Sequence, residues 1–229
     1  MDFTMYIVNE MPTQIESGLI DKLAQVETAT VGHFRHHGFM SPALTPIIPG
    51  HRAAGTAVTV STPGPDSTIL HHAMSLLRRG DFLVIDRCGD RTHACWGGVI
   101  NQAAKTIGLA GVIVDGPATD PGELREHGVL VWSRGVSPVT TKSVTLGGHV
   151  NVPVSCGNVA VLPGDAILAD ESGILVLRRD EVEEIVRLGL ARQRREPEVV
   201  RRILSGEPVA QVSGASVRFD AAWHDTKKH

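Results

Sequence analysis

The sequence predicts an α/β fold with a β-rich second half, and three observations carry that expectation. Apolar, β-branched runs at Thr56–Val60, Phe82–Asp86 and Gly111–Asp115 alternate with stretches of helical periodicity. Beyond Gly128 the pattern changes to short apolar segments separated by Gly, Pro and Asn. With 229 residues, 42% hydrophobic and 21% charged, the chain can bury a full core, which excludes intrinsic disorder.

Thr13-Gln14-Ile15-Glu16 has the form of a capping box, and Ile15, Leu19, Leu23 and Val26 then fall on one helical stripe to about residue 27. A second short helix is expected from Thr28 or Thr30 to Gly38, with Arg35-His36-His37 at its basic end. The breakers Pro46 to Gly50 precede the first strand of the fold proper, which Pro63-Gly64-Pro65 closes. Asp66 or Ser67 then caps a helix carrying Ile69, Leu70, Met74 and Leu77, and Gly80 stops it. Another helix runs from about Trp96 to Thr106, and a further one opens at Asp120.

The later segments are Val129–Trp132, Val139–Leu146, Val152–Val154, Val159–Leu162, Ala166–Ala169 and Gly173–Leu177, a barrel or swivelling β layer by pattern. Asp180 caps an amphipathic helix to about Arg194, and Glu196 to Leu204 adds a helical turn or two after a hinge at Pro197. These C-terminal helices span about 180–205, and 214–229 reads as a flexible, frayed tail. Nothing near Gly128 has linker composition, so a single domain over 1–229 is expected.

A formal net charge of −3 gives no global field for a polyanion, so nucleic acid is not an expected partner. Runs such as Ala110 to Val114 fall far short of the roughly 20 apolar residues of a spanning helix. The N-terminus carries Asp2 and Glu10 without a basic leader region, so no membrane association and a cytoplasmic location are expected. Cys88, Cys95 and Cys156 lack CxxC spacing and read as isolated thiols rather than a disulfide framework or zinc site.

Strand ends at Pro63–Asp66, Asp86–Asp90 and Asp115–Asp120 place polar groups where a parallel sheet exposes ligands. Asp115 and Asp120 offer two carboxylates in one turn, a donor set for a hard ion such as Mg²⁺, although a helix cap and a turn former account for the same residues. Gly97-Gly98 opens a helix, leaving the amides of Val99 and Ile100 to meet a carboxylate.

The ordered segments GTAVTV, RRGDFLVID, GLAGVIVDG with the Asp of PATD, VNVPVSCGNVAVLPGD and ILADESGILVL resemble the class II pyruvate aldolases and their RraA-like relatives. That group cleaves 4-hydroxy-4-methyl-2-oxoglutarate and 4-carboxy-4-hydroxy-2-oxoadipate. The resemblance covers a core of about 13–190. It implies a compact α/β/β layered domain with helical N- and C-terminal extensions, assembled as a homotrimer or homohexamer. It further implies a small carboxylate substrate and Mg²⁺ or Mn²⁺ held at Asp120, with no organic cofactor.

Two positions depart from the family pattern. Thr119 stands where the family has the arginine that clamps the pyruvyl carboxylate, and Gly98 stands where it has an acid. Arg91 is the candidate replacement cation, and it, His93 and Thr119 are the expected catalytic residues. Gly97, Gly98, Val99, Ile100 and Arg91 are the expected substrate contacts. One of His71 and His72 can face the cleft, Lys142 reads as a solvent or subunit-contact charge, and Glu196 or Glu198 as helix surface or a group reaching a neighbouring subunit. The function implied is a divalent-metal-dependent lyase of the aldolase or decarboxylase type acting on a small 2-oxo acid. The alternatives are a non-catalytic regulatory binding protein and an isomerase or hydrolase that reuses the metal cleft.

Overall fold

Among the described residues nine strands share one sheet, whose central strands are apolar on both faces, as strands covered from both sides must be. In the computed structural model, residues 5–126 and 128–226 are described; Asp2 and residues 227–229 of the expected tail lie outside them. The chain runs β1 (Tyr6–Val8), α1 (Ser17–Leu23), α2 (Thr28–Gly32), β2 (Thr45–Pro46), β3 (Ala53–Ser61), α3 (Thr68–Met74) and β4 (Asp81–Asp86). It continues through α4 (Gly98–Ile107), β5 (Gly111–Val114), α5 (Pro121–Glu126), β6 (Val131–Ser133) and β7 (Gly148–Val150). The hairpins β8 (Val154–Cys156) with β9 (Val159–Val161) and β10 (Ala166–Ala169) with β11 (Ile174–Leu177) follow. Helices α6 (Val182–Gln193), α7 (Glu196–Leu204), α8 (Val209–Val212) and α9 (Ala215–Thr226) complete it.

The sheet order is β1-β7-β3-β4-β5-β6-β2, with β3, β4, β5 and β6 parallel. The far edge of β3 is shared, its first half pairing with β10 and its end with β7. One core lies between the sheet and α3, α4 and α5, around Leu70, Leu83, Trp96 and Leu124. A second, around Phe82, Trp132 and Ile167, is covered by the β8–β9 hairpin. The third joins α1, α2 and α6 to β10 and β11. This is the mixed α/β single-domain fold that the sequence predicts.

Several local expectations are corrected. The first helix begins at Ser17, and Glu16 rather than Thr13 caps it, accepting from the Gly18 and Leu19 amides. Ile15 is extended and buried instead, its amide donating to Thr56 Oγ1. The second helix stops at Gly32, six residues before Gly38. Val139–Leu146 is no strand but an irregular segment with isolated bridges from Thr140 to Ala94 and from Lys142 to Asp66. The segment read as a frayed tail is helical from Ala215, with Phe219 stacked on Trp223.

Asp66, one of the two expected caps of α3, does accept the helix's first amide, and it does more. Its carboxylate accepts from the Thr68 amide (2.9 Å) and hydroxyl (2.7 Å), and from the amides of Val144 (3.1 Å) and Leu146 (2.7 Å). It thereby latches the 139–146 segment onto the start of α3. Burial raises its pKa, but the Thr68 hydroxyl and the amides of Thr68, Leu146 and Val144 outweigh that and bring it down to about 2. A pKa depressed below the unfolded value contributes stability above about pH 4 and loses it as pH falls through about 2. Asp66→Asn is therefore expected to cost about 1–3 kcal/mol at neutral pH in urea denaturation. Its difference from the parent should shrink between pH 4 and pH 2; a constant difference would show that the charge is not what holds the latch.

Candidate active site

A cleft of about 390 Å³ opens at the N-terminal end of α4, between α3, the start of α5 and the 139–146 segment. Trp96 anchors it: the indole is fully buried and its Nε1 donates to Asn101 Oδ1 at 3.2 Å. The Trp96 carbonyl accepts the Thr119 amide (2.8 Å), which ties the strand end after β5 to the opening of α4.

Asp120 then adopts φ 53°, a left-handed conformation that few non-glycine residues take. Its carbonyl accepts the Leu124 amide, so its backbone begins α5. Its carboxylate does not cap that helix. Oδ2 instead accepts the Gly98 amide of α4 at 3.0 Å, and Oδ1 lies 3.2 Å from the Thr119 hydroxyl, which donates to it. The first intrahelical bond of α4 runs from the Asn101 amide to the Gly97 carbonyl, so the Val99 and Ile100 amides precede it and point out of the helix start. Val99 is 88% exposed.

Both glycines sit at a close approach of the two helix starts. A Cβ on Gly97 would stand 2.5 Å from Asp120 Oδ2 and 2.7 Å from Thr119 Cγ2. A Cβ on Gly98 would stand 1.8 Å from Glu123 Oε2, so the Glu123 carboxylate fills the space beside the position where the family has an acid. Sequence reasoning missed Glu123, an exposed residue one turn into α5. No local signal marks it, because a glutamate in the first turn of a helix is ordinary and Asp120, at φ 53°, lies outside α5.

Asp115 is not a partner of Asp120, contrary to the paired-carboxylate expectation. It ends β5 in a separate, mostly buried cluster, accepting from Arg134 Nε, from Arg91 Nη1 at 2.9 Å and from the Gly157 amide at 3.0 Å. Burial raises its pKa, and Arg134, the Gly157 amide and Arg91 together hold it below the usual value. Asp86 in turn is pushed up by burial and by the Asp115 charge. Arg91 is thus engaged with Asp115 and does not line the Asp120 cleft. His93 likewise lies off the cleft, its Nδ1 2.7 Å from Asp90 Oδ2. For Asp90, burial raises the pKa, while the His93 and Thr92 amides and the His93 ring lower it to about 2.

Of the histidine pair, His71 lines the cleft. Lys142 is exposed and does not line it. Glu198 pairs with Arg201 on the surface of α7. Cys95 lines the cleft, and burial pushes its thiol up to about 11, which keeps it protonated. Cys156 is buried, and Cys88 is exposed.

Among the described residues, no three or more His, Cys, Asp or Glu gather around a common point, so there is no closed metal cage. Asp120 and Glu123 do fit a hard ion that keeps most of its waters and needs one or two carboxylates. No ion pair with a described cation neutralises either carboxylate, whereas Asp115 has two arginines.

Fold and cleft together define a single-domain α/β protein with a cleft at the mouth of a helix. The family model described as RraA-like, Aldolase/RraA, matches residues 18–176, and the chain belongs to that family. A Halalkalibacterium halodurans protein named "Putative 4-hydroxy-4-methyl-2-oxoglutarate aldolase" is 31% identical over 154 residues, 67% of this chain and 73% of that one. Streptomyces coelicolor RraAS2, described as an unusual member of the RNase ES inhibitor RraA protein family, aligns with a TM-score of 0.70 and 28% identity over 85% of this chain and 98% of that one. The RNA-processing inhibitor RraA from Thermus thermophilis aligns with a TM-score of 0.60 and 28% identity over 66% and 92%. Among the described residues, no helix is long and apolar enough to cross a membrane.

The close approach can be tested through the glycines. Gly97→Ala is expected to cost about 1–3 kcal/mol, because its methyl group meets Asp120. Gly122→Ala, in the same neighbourhood but with nothing within 4 Å, should be neutral or slightly stabilising. Equal urea midpoints for the two variants would contradict the packing described.

Proposed function

We propose that this protein is a divalent-metal-dependent lyase that breaks a carbon–carbon bond in a small 2-oxo acid, by retro-aldol cleavage or decarboxylation. The observation that carries this reading is the Asp120 carboxylate, turned away from its own helix onto the Gly98 amide and left without a described cation. Asp120 and Glu123 would hold Mg²⁺ or Mn²⁺ largely through water. When bound, such an ion supplies Lewis-acid polarisation of a 2-oxo group.

The chain's own residues do the rest. The Val99 and Ile100 amides, at the positive end of α4, donate to the substrate carboxylate. Thr119 orients Asp120 by its hydroxyl. His71 is the cleft side chain placed to accept the proton of a substrate hydroxyl. Arg91 is spent on Asp115 and no guanidinium of the described residues lines the cleft, so dispersing the developing negative charge falls to the amides and would fall to the ion. The names of the relatives support this reading, and family resemblance supports assembly as a homotrimer or homohexamer. The exposed Leu204, Val217 and Phe219 on the C-terminal helices suit such self-association.

A second reading, a non-catalytic binding protein, draws support from the RraA neighbours. One experiment separates the two. Purified protein incubated with oxaloacetate and 4-hydroxy-2-oxo acids should release pyruvate with Mg²⁺ or Mn²⁺ and stop on addition of EDTA. Asp120→Ala should lower the rate by about 100-fold or more. His71→Gln should lower kcat by about 10-fold or more with little change in KM. Absence of metal-dependent release, with no metal binding that Asp120→Ala removes, would favour the binding protein.

A further inference from the structure

One wall of the cleft is held in place by polar bonds rather than by packing. Residues 138–146 include no buried side chain, yet Thr140 and Thr141 line the cleft. At one end, the Ala94 amide donates to the Val139 carbonyl (2.8 Å) and the Thr141 amide to the Ala94 carbonyl (3.1 Å), next to Cys95, a cleft thiol only 5% exposed. In the middle, the Lys142 amide donates to the Pro65 carbonyl at 2.8 Å. At the other end, the two oxygens of Asp66 take the amides on either side of Thr145, Oδ1 that of Val144 and Oδ2 that of Leu146. The Thr145 amide between them donates to the Thr68 hydroxyl (3.2 Å). Thr145 has φ 57°, so this turn is a left-handed cradle of amides of the kind that binds an anion, and the chain fills it with its own carboxylate. Such a conformation costs energy in a residue with a side chain, and the bonds to Asp66 offset it. Beyond Leu146 the chain is pinned: Gly147 is buried, and a Cβ on it would stand 2.5 Å from the Met5 carbonyl oxygen. A segment with few buried contacts, held mainly by hydrogen bonds, opens at a lower free energy than the fold as a whole.

We infer that residues 139–146 form a strap that opens as a unit, ahead of global unfolding, with Asp66 as its catch. While the carboxylate fills the turn at 144–146, Thr140 and Thr141 stay against the cleft; on its release they move away and uncover Cys95. Asp66 is then a positioning residue: it touches no ligand, and it sets how often a small molecule can enter. The catch works the same way whichever reaction the cleft performs.

Access of a thiol reagent to Cys95 measures the opening. The full chain, in the assembly it forms in solution, is treated with N-ethylmaleimide and the label is located by mass spectrometry, with Cys88→Ser removing the exposed thiol beforehand. In that background Asp66→Asn is expected to speed Cys95 labelling about 10-fold or more. Thr68→Val keeps the carboxylate but removes the hydroxyl that Asp66 and the Thr145 amide share, and should speed labelling about threefold. Ile185→Ala, in the core that joins α1, α2 and α6 to β10 and β11, is the control. It lowers overall stability but leaves the bonds of the strap alone, so Cys95 labelling should stay within about twofold of the parent. An Ile185→Ala effect as large as that of Asp66→Asn would show that Cys95 reacts through global unfolding, and would overturn the inference. So would unchanged labelling in both Asp66→Asn and Thr68→Val. Should Asp66→Asn fail to fold, Thr68→Val measured against Ile185→Ala decides the point.

Discussion

The hydrogen bond from the Gly98 amide to Asp120 Oδ2 is the constraint around which the cleft is built. It joins the beginnings of two helices that follow successive strands of the parallel sheet. It holds Asp120 in a left-handed backbone conformation that costs roughly 1–2 kcal/mol for a residue with a side chain. A charged acceptor makes that bond stronger than a neutral pair, and the Thr119 hydroxyl adds to it. The arrangement leaves no room for a side chain at residue 97, where a Cβ would meet Asp120 and Thr119. Through the Thr119 amide and the Trp96 carbonyl, the same site is fixed to one of the largest buried side chains in the core.

Electrostatics divide the ends of β4 and β5 into two regions with opposite logic. Asp115 has its charge matched by Arg91 and Arg134 and its second oxygen satisfied by the Gly157 amide, which is how a mostly buried carboxylate stays ionised without a ligand. Asp120 has backbone and hydroxyl donors but no described positive charge. The first cluster braces the crossing from β5 to β8; the second leaves a negative potential open to the cleft.

Much of the central sheet could be read directly, because Phe82–Asp86 and Gly111–Asp115 are short apolar runs bounded by glycine and aspartate, and they form β4 and β5. Asp120 could be singled out for its place after a strand. Its partner Glu123 could not, since a glutamate in the first turn of a helix is ordinary, and only the approach of Gly98 gives it meaning. Arg91 misled for a related reason: sequence puts it near the strand ends but does not say which of two nearby aspartates it will meet. Asp66 could be read as a helix cap and accepts the Thr68 amide, but local spacing cannot reveal that amides almost eighty residues later also converge on it. Val139–Leu146 has strand-like composition, yet those residues form only isolated bridges to Ala94 and Asp66, as an irregular segment whose Thr140 and Thr141 line the cleft.

The shared volume at residues 98 and 123 restricts how this site can change over evolutionary time. A lineage that gains a carboxylate at position 98 must first shorten or turn aside the side chain at 123, or two anions crowd into one place. In this chain the acid beside the start of α4 thus comes from position 123 of the neighbouring helix, so local negative charge is supplied without a carboxylate at position 98.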